Sequence, residues 1–318
     1  MIETVAQVQL PVDEKLTIRK HRLQAEPGKD TGKRISIVTG IHGDELEGQY
    51  VCYEVGRRVL EHREYLTGTV DIYPALNPFG IDSITRGIPA FDLDMNRIFP
   101  GRTDGDMNEY LASKIIRDVE GSDLCLDIHA SNIFLTEVPQ IRINELHKDM
   151  LLPYGRLSNV DLIWVHGAST VLESTFAHSL NSRRVPTLVV EMGVGMRITK
   201  EYGDQLTEGI FRLMKELGIW SGPVREVREP IVSDGADDVC FLNAPVSGVF
   251  LKNKCHNSRV EKGESIGCIM NPLTLQSVCE ITAPESGLLF TIREYPIVDE
   301  GSLMGRILKE EVLQEMEK

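Results

Sequence analysis

The chain has 318 residues and a formal charge of −14, from 34 Lys and Arg against 48 Asp and Glu. This charge repels nucleic-acid backbones and anionic membrane surfaces, so we expect neither as a partner. The six cysteines contain no C-x-x-C pair and are expected to be reduced and mostly buried, and the lack of a leader pattern or an apolar run of ~20 residues predicts a soluble, cytoplasmic protein.

Short apolar runs alternate with helix-patterned segments from about residue 34 to residue 220. This alternation predicts an α/β domain with a largely parallel sheet. Strands are predicted at Ile35–Thr39, Val70–Leu76, Leu124–Ile128, Leu162–Val165 and Thr187–Val190.

Three helices are predicted, two between these strands and one after the last of them. The first is expected to use Asp44 as its N-cap and to place the valines at positions 51, 55 and 59 on one buried face. The others are predicted at Asn108–Val119 and Asp204–Leu217, the last ending at Gly218.

The character of the chain changes after Gly218. Residues 221–230 are typical of a linker, and the β-type runs that follow predict a division into an α/β domain of residues 1–228 and a β-rich domain of residues 229–318. Ala244–Phe250 and Ala283–Leu289 share the pattern Ala-Pro-x-Ser-Gly-apolar-apolar, which predicts two similar β units folded together. The pattern resembles the barrel-sandwich of biotinyl and lipoyl carriers. The hairpin region 270–280 lacks the lysine of a carrier, so a lid or packing module is expected.

A metal site is suggested at the end of the first predicted strand. His42 and Glu45 lie in the corner Gly40-Ile-His-Gly-Asp-Glu45, where the carboxyl ends of parallel strands gather ligands. His129 follows the strand Leu124–Ile128 and is the best third ligand, with Asp127 as its orienting acceptor. His166 also follows a strand and competes for this role. The other histidines, at positions 21, 62, 147, 178 and 256, lie in polar surroundings and are expected at the surface.

Further polar residues are suited to hydrolysis at such a metal. Glu191 ends a buried strand and could serve as the general base, although a salt bridge to Arg183 or Arg184 would also explain it.

A long loop after the second strand carries Arg86, Asn96 and Arg97. Arginine forks bind carboxylates and stabilise oxyanions, while solvated surface charge is the alternative for them.

Four ordered motifs together resemble the succinylglutamate desuccinylase/aspartoacylase family, a branch of the zinc carboxypeptidase fold. They are Gly40-Ile-His-Gly-Asp-Glu45, Asp94-Met-Asn-Arg97, Asp127-Ile-His129 and Val190-Glu-Met-Gly193. The resemblance covers nearly the whole chain. It implies a three-layer, zinc-carboxypeptidase-like α/β fold with a mixed sheet, followed by a barrel-sandwich-like all-β domain.

The resemblance also implies the site and its chemistry. His42, Glu45 and His129 would bind one Zn²⁺ per chain, and Glu191 would be the general base. Arg86 would polarise the scissile carbonyl, and Asn96 with Arg97 would bind the carboxylate of the substrate. The implied reaction is hydrolysis of an N-acyl amino acid, with no nucleic acid or membrane as partner; homo-oligomer formation is left open.

Two departures from aspartoacylase limit the prediction of the substrate. The arginine expected shortly before Pro186 is out of register, which argues against acetylaspartate, and no residue of the tail matches the tyrosine that aspartoacylase brings from its C-terminal domain. A metallocarboxypeptidase acting on short peptides, an esterase and a non-catalytic zinc- or ligand-binding protein remain as alternatives.

Overall fold

The computed structural model describes residues 1–89, 91–167, 173–235 and 237–316. Its strands are β1 (Ile2–Gln9), β2 (Lys15–Gln24), β3 (Arg34–Thr39), β4 (Thr69–Tyr73), β5 (Leu124–Ala130), β6 (Leu135–Asn144), β7 (Leu162–His166), β8 (Thr187–Gly193), β9 (Ile231–Ser233), β10 (Val239–Asn243), β11 (Gly248–Lys252), β12 (Ser258–Val260), β13 (Ser265–Asn271), β14 (Gln276–Thr282), β15 (Gly287–Arg293), β16 (Ile297–Val298) and β17 (Leu303–Lys309). Its helices are α1 (Glu47–Glu61), α2 (Pro78–Ser83), α3 (Met107–Val119), α4 (Lys148–Gly155), α5 (Phe176–Asn181), α6 (Lys200–Glu216) and α7 (Glu310–Met316).

Four parallel strands in the order β4-β3-β5-β8 form the centre of the large sheet. These strands are almost wholly buried because helices cover both faces, which explains their continuous apolar runs. The predicted strands in this region are therefore confirmed. The second one ends at Tyr73 rather than Leu76, immediately before Pro74.

Antiparallel strands extend this centre on both sides. β2 pairs with β4 and β1 with β2, while β6 pairs antiparallel with β8. β7 runs parallel to the C-terminal half of β6, and β9 runs parallel to β7. The sheet is consequently mixed, and the sequence prediction of a largely parallel sheet holds for its centre.

Helices pack on both faces of the sheet. α1 and α6 lie on one face, where Val51, Val55 and Val59 are buried as predicted. α3 and α5 lie on the other face, and α3 begins with a capping box between Asp106 and Glu109. The cap predicted for α1 is wrong, because the helix begins at Glu47 after Leu46, and the backbone oxygen of Asp44 instead accepts a hydrogen bond from the Met196 amide at 2.6 Å.

The C-terminal strands divide between two sheets. β11, β13, β14 and β16 form a separate four-stranded antiparallel sheet, whereas β15 pairs with β6 and β17 in the large sheet. The two copies of the sequence pattern thus run into the starts of β11 and β15, which belong to different sheets. The division at residue 228 stays a prediction, since β9 and β15 both add to the large sheet.

Two general expectations can be compared with the fold. The cysteines are free thiols, but only Cys52 and Cys125 are buried, so the expectation of mostly buried thiols is wrong. None of the helices in the described ranges is long and apolar enough to cross a bilayer.

Candidate active site

The corner between β3 and α1 holds His42 and Glu45 below the protein surface, at 3% and 4% exposure. Its tight course depends on glycine. Gly40 has a φ of +69°, and a Cβ at Gly43 would lie 1.9 Å from the carbonyl carbon of Gly80. A larger residue at either position would move the two side chains.

His129 joins this corner from the end of β5. β3 and β5 are parallel and in register, with Thr39 opposite Ile128, so their carboxyl ends meet at one edge. The Nδ1 atoms of His42 and His129 lie 2.7 and 2.8 Å from the two carboxylate oxygens of Glu45. His166, the competing candidate, is not part of this group.

The other nitrogen of each imidazole faces an acidic residue. Nε2 of His42 lies 3.1 Å from Asp94, and Nε2 of His129 lies 3.1 Å from Asp127. Contacts of this kind fix the orientation of metal-binding imidazoles and direct their free nitrogens to the metal.

The group fits a zinc ion. The ligand atoms of His42, Glu45 and His129 lie within 4.8 Å of one another, and two imidazoles with one carboxylate are a donor set typical of catalytic zinc. Nδ1 of His42 is buried, and its contact with Glu45 lacks the angles of a hydrogen bond, so within the described residues this nitrogen is left for a metal. Burial alone would raise the pKa of Glu45, but His42 and His129 hold that pKa well below its usual range, so the carboxylate is ionised as a metal ligand must be.

Glu191 lies beside this group on the adjacent strand. It pairs with His129 in the β5–β8 register, and burial raises the pKa of its carboxyl to about 7. The cation next to it is Arg142, whose Nη1 is 3.5 Å from Oε1, rather than Arg183 or Arg184. Arg183 instead pairs with Glu120 at 2.8 Å. A carboxyl with a pKa near neutrality is suited to proton transfer.

Arg86, Asn96 and Arg97 line the same cavity as the His-Glu-His group. Nη1 of Arg86 donates to Oε1 of Glu45 at 2.7 Å, which places its guanidinium at the edge of the metal group. Arg97 is 41% exposed and donates to the backbone oxygen of Asn96 at 2.8 Å. The side-chain oxygen of Asn96 accepts from the amide of Phe176, so this residue also holds the start of α5. Both guanidinium groups retain donors for a substrate.

A buried ion network that the sequence did not reveal supports Glu191. Glu137 is fully buried, and its carboxylate accepts hydrogen bonds from Arg142 on β6, Thr291 on β15 and Arg306 on β17. Arg142 therefore lies between Glu137 and Glu191. The alternation Gln140-Ile-Arg-Ile-Asn144 predicts a strand with one polar face and could have identified Arg142, whereas nothing local marks Arg306.

The cavity has a volume of about 500 Å³ and lies over one face of β5, β8, β6 and β7. All seven predicted site residues line it. Strand alternation explains the lining, because residues two positions apart on a strand point to the same side of the sheet. The cavity is lined by three such pairs: Asp127 and His129, Val189 and Glu191, and Arg142 and Asn144. His147, His166 and His178 also line it, and His147 and His178 are half-buried.

The chain is similar to known proteins over much of its length. Residues 31–217 match the succinylglutamate desuccinylase/aspartoacylase catalytic domain. The chain is 25% identical over 282 residues to the N-alpha-acetyl-L-2,4-diaminobutyric acid deacetylase of Halomonas elongata, a match that covers 83% of this chain and 78% of that protein.

Two solved structures share the fold over nearly the whole chain. A succinylglutamate desuccinylase/aspartoacylase from Rhodobacter sphaeroides has a TM-score of 0.81 at 21% identity, covering 97% of this chain and 95% of its own. The product-bound ectoine utilization protein EutE (DoeB) of Ruegeria pomeroyi has a TM-score of 0.80 at 20% identity, covering 95% and 92%. The predicted carboxypeptidase-like fold class is confirmed. Because the matched residues make up more than half of the chain, the chain belongs to the succinylglutamate desuccinylase/aspartoacylase family.

Proposed function

We propose that this protein is a zinc-dependent deacylase that hydrolyses the amide bond of a small N-acyl amino acid bearing a carboxylate. The observation that carries the proposal is the convergence of three metal-type ligands, His42, Glu45 and His129, with the buried carboxyl of Glu191 at the edge of one cavity. A purely ligand-binding protein has no need for a general base at that position. Membership of the family supports the same reaction class.

Zinc held by the His-Glu-His group would act as a Lewis acid on the amide carbonyl and lower the pKa of water. The protein supplies the other components. Glu191 accepts a proton from the attacking water and passes it to the nitrogen of the leaving amine. Arg86 faces the carbonyl oxygen and stabilises the negative charge that develops on it.

Asn96 and Arg97 are assigned to the carboxylate of the substrate. The exposed guanidinium of Arg97 can bind a carboxylate with two parallel hydrogen bonds, and the Nδ2 group of Asn96 can add a third. Binding there fixes the scissile amide relative to Glu191, so Arg97 contributes to orientation rather than to proton transfer.

Hydrolysis of a panel of N-acyl amino acids and matched dipeptides by the zinc-loaded protein tests this assignment. Glu191→Gln should retain zinc and lose about 10²- to 10⁴-fold in kcat. Preference for dipeptides would instead favour a metallocarboxypeptidase. Near wild-type turnover by Glu191→Gln would show that Glu191 is not the base.

A further inference from the structure

Gln140 is a buried residue of β6 whose side-chain amide has no partner. The residue is 0% exposed, and neither Oε1 nor Nε2 forms a hydrogen bond with any group in the described part of the chain. A glutamine amide offers an acceptor oxygen and two donor hydrogens, and leaving them unpaired in a protein interior costs free energy. Buried polar atoms are nearly always paired, so this amide requires a partner close to it.

The strands on either side of β6 place two different neighbours beside Gln140. Glu191 on β8 lies directly opposite it in the antiparallel register, and Leu162 lies opposite it on β7. The Cβ atoms of directly opposite residues in an antiparallel pair are ~4.5–5.5 Å apart, a gap that an amide and a carboxyl can bridge. Leu162 is fully buried and apolar. A polar partner for Gln140 is therefore available on the β8 side and not on the β7 side.

Arg142 is the next residue of β6 on the same side of the sheet as Gln140. Its Nη2 donates to the two oxygens of Glu137 at 3.0 and 2.8 Å, whereas its Nε is buried and has no partner among the residues that the structure describes. A guanidinium group contains donors only, so its Nε needs an acceptor. Oε1 of Gln140 is an unused acceptor two positions away on the same strand.

The carboxyl of Glu191 has an unused capacity of the opposite kind. Its contact with Nη1 of Arg142, at 3.5 Å, is too long for a good hydrogen bond, and no other donor in the described ranges reaches it. An ionised carboxylate accepts hydrogen bonds only, and Nε2 of Gln140 is an unused donor on the facing residue. The unpaired groups therefore match as two pairs, Nε of Arg142 with Oε1 of Gln140, and Nε2 of Gln140 with Glu191.

We propose that Gln140 is a positioning residue for the general base, and that its amide accepts a hydrogen bond from Nε of Arg142 and donates one to the carboxylate of Glu191. This bond restricts the rotamers of Glu191 and leaves the second carboxylate oxygen for the attacking water. Gln140 itself touches neither substrate nor water. The inference rests on the proposed deacylase function, since it takes Glu191 as the base.

Gln140→Met tests this role, because methionine has a similar length and lacks a strong hydrogen-bonding group. In the zinc-loaded protein kcat should fall about tenfold, as expected for the loss of a hydrogen bond to a charged group, while KM and zinc affinity stay close to wild type. Loss of a donor to the carboxylate should also move the acidic limb of kcat/KM to higher pH. Gln140→Asn, which keeps an amide, should recover part of kcat.

Gln205→Met is the matched control. Gln205 lies on α6 and does not line the cavity, and its Nε2 donates to the Asn159 oxygen at 2.7 Å. The control should lose stability in chemical denaturation and keep the kcat and the acidic limb of wild type. A Gln140→Met variant with the kcat and acidic limb of the control would overturn the proposal.

An NMR measurement separates failure of this contact from failure of the deacylase assignment. Side-chain amide signals of the zinc-loaded protein, with isotope-labelled glutamine, are compared with those of Glu191→Ala, and the Gln140 signal is identified by its absence from Gln140→Asn. The amide proton bonded to Glu191 should move upfield more than the other proton on the same nitrogen, and the Gln205 signal should stay unmoved. This response in a protein that hydrolyses no N-acyl amino acid would retain the contact and reject the deacylase. An unmoved Gln140 signal would reject the contact.

Discussion

Replacing Arg306 with methionine should test whether the C-terminal strands help to hold the active site. Arg306 on β17 donates to the fully buried carboxylate of Glu137, which also accepts from Arg142 and Thr291. Arg142 in turn lies 3.5 Å from Glu191. Loss of Arg306 therefore leaves a buried carboxylate with less compensation and draws Arg142 toward Glu137.

The expected loss of folding free energy depends on the hydrogen bonds that Glu137 keeps in the variant. Breaking a buried ion pair by removing one partner costs about 3–5 kcal/mol. Because Arg142, 2.8 Å away, and Thr291, 3.0 Å away, still bond to the carboxylate, the lower end, about 3 kcal/mol, is expected. A shift of Arg142 away from Glu191 should also lower kcat more than it raises KM.

Chemical denaturation and steady-state kinetics measure these two effects. Lys262→Met is a matched control, because Lys262 pairs with Glu285 on the exposed surface of the same C-terminal region and should cost at most about 1 kcal/mol. A loss for Arg306→Met no larger than that of the control would refute this reasoning.

Three further predictions concern the metal end of the cavity. Asp127→Asn should weaken zinc binding about 10- to 100-fold, measured by competition with a chelator, because Asp127 orients the His129 ring; unchanged affinity would exclude that role. Arg97→Met should raise KM for N-acyl amino acids much more than for their amides, and an equal effect on both would contradict the carboxylate assignment. Because burial raises the pKa of Glu191 to about 7, kcat/KM should fall as the pH drops through the neutral range and the base becomes protonated, and a flat acidic limb would count against Glu191.

The parts of the fold predicted from sequence are those with a strong local signal. β3, β5 and β8 are buried on both faces and show continuous apolar runs, and His42, Glu45, His129 and Glu191 lie on or just after the ends of these strands. The sequence does not predict β6, because Pro139 interrupts the strand and its polar residues face the cavity.

Contacts between residues that are far apart in the sequence leave no local pattern from which they could be predicted. Glu137 and Arg306 are 169 positions apart, and their pairing depends on β15 lying between β6 and β17. The sequence predicts a surface position for His147 and His178, because their neighbours in sequence are polar. The cavity reaches them because the turn after β6 and helix α5, which packs against β8, both lie along it.

Zinc titration of the metal-free protein, with hydrolysis of an N-acyl amino acid followed at each addition, tests the central claim most directly. Activity should rise from near zero and saturate at about one zinc per chain, and His129→Ala should remove both the binding and the activity. Turnover that persists without metal, or full zinc binding by the His129→Ala variant, would contradict the account.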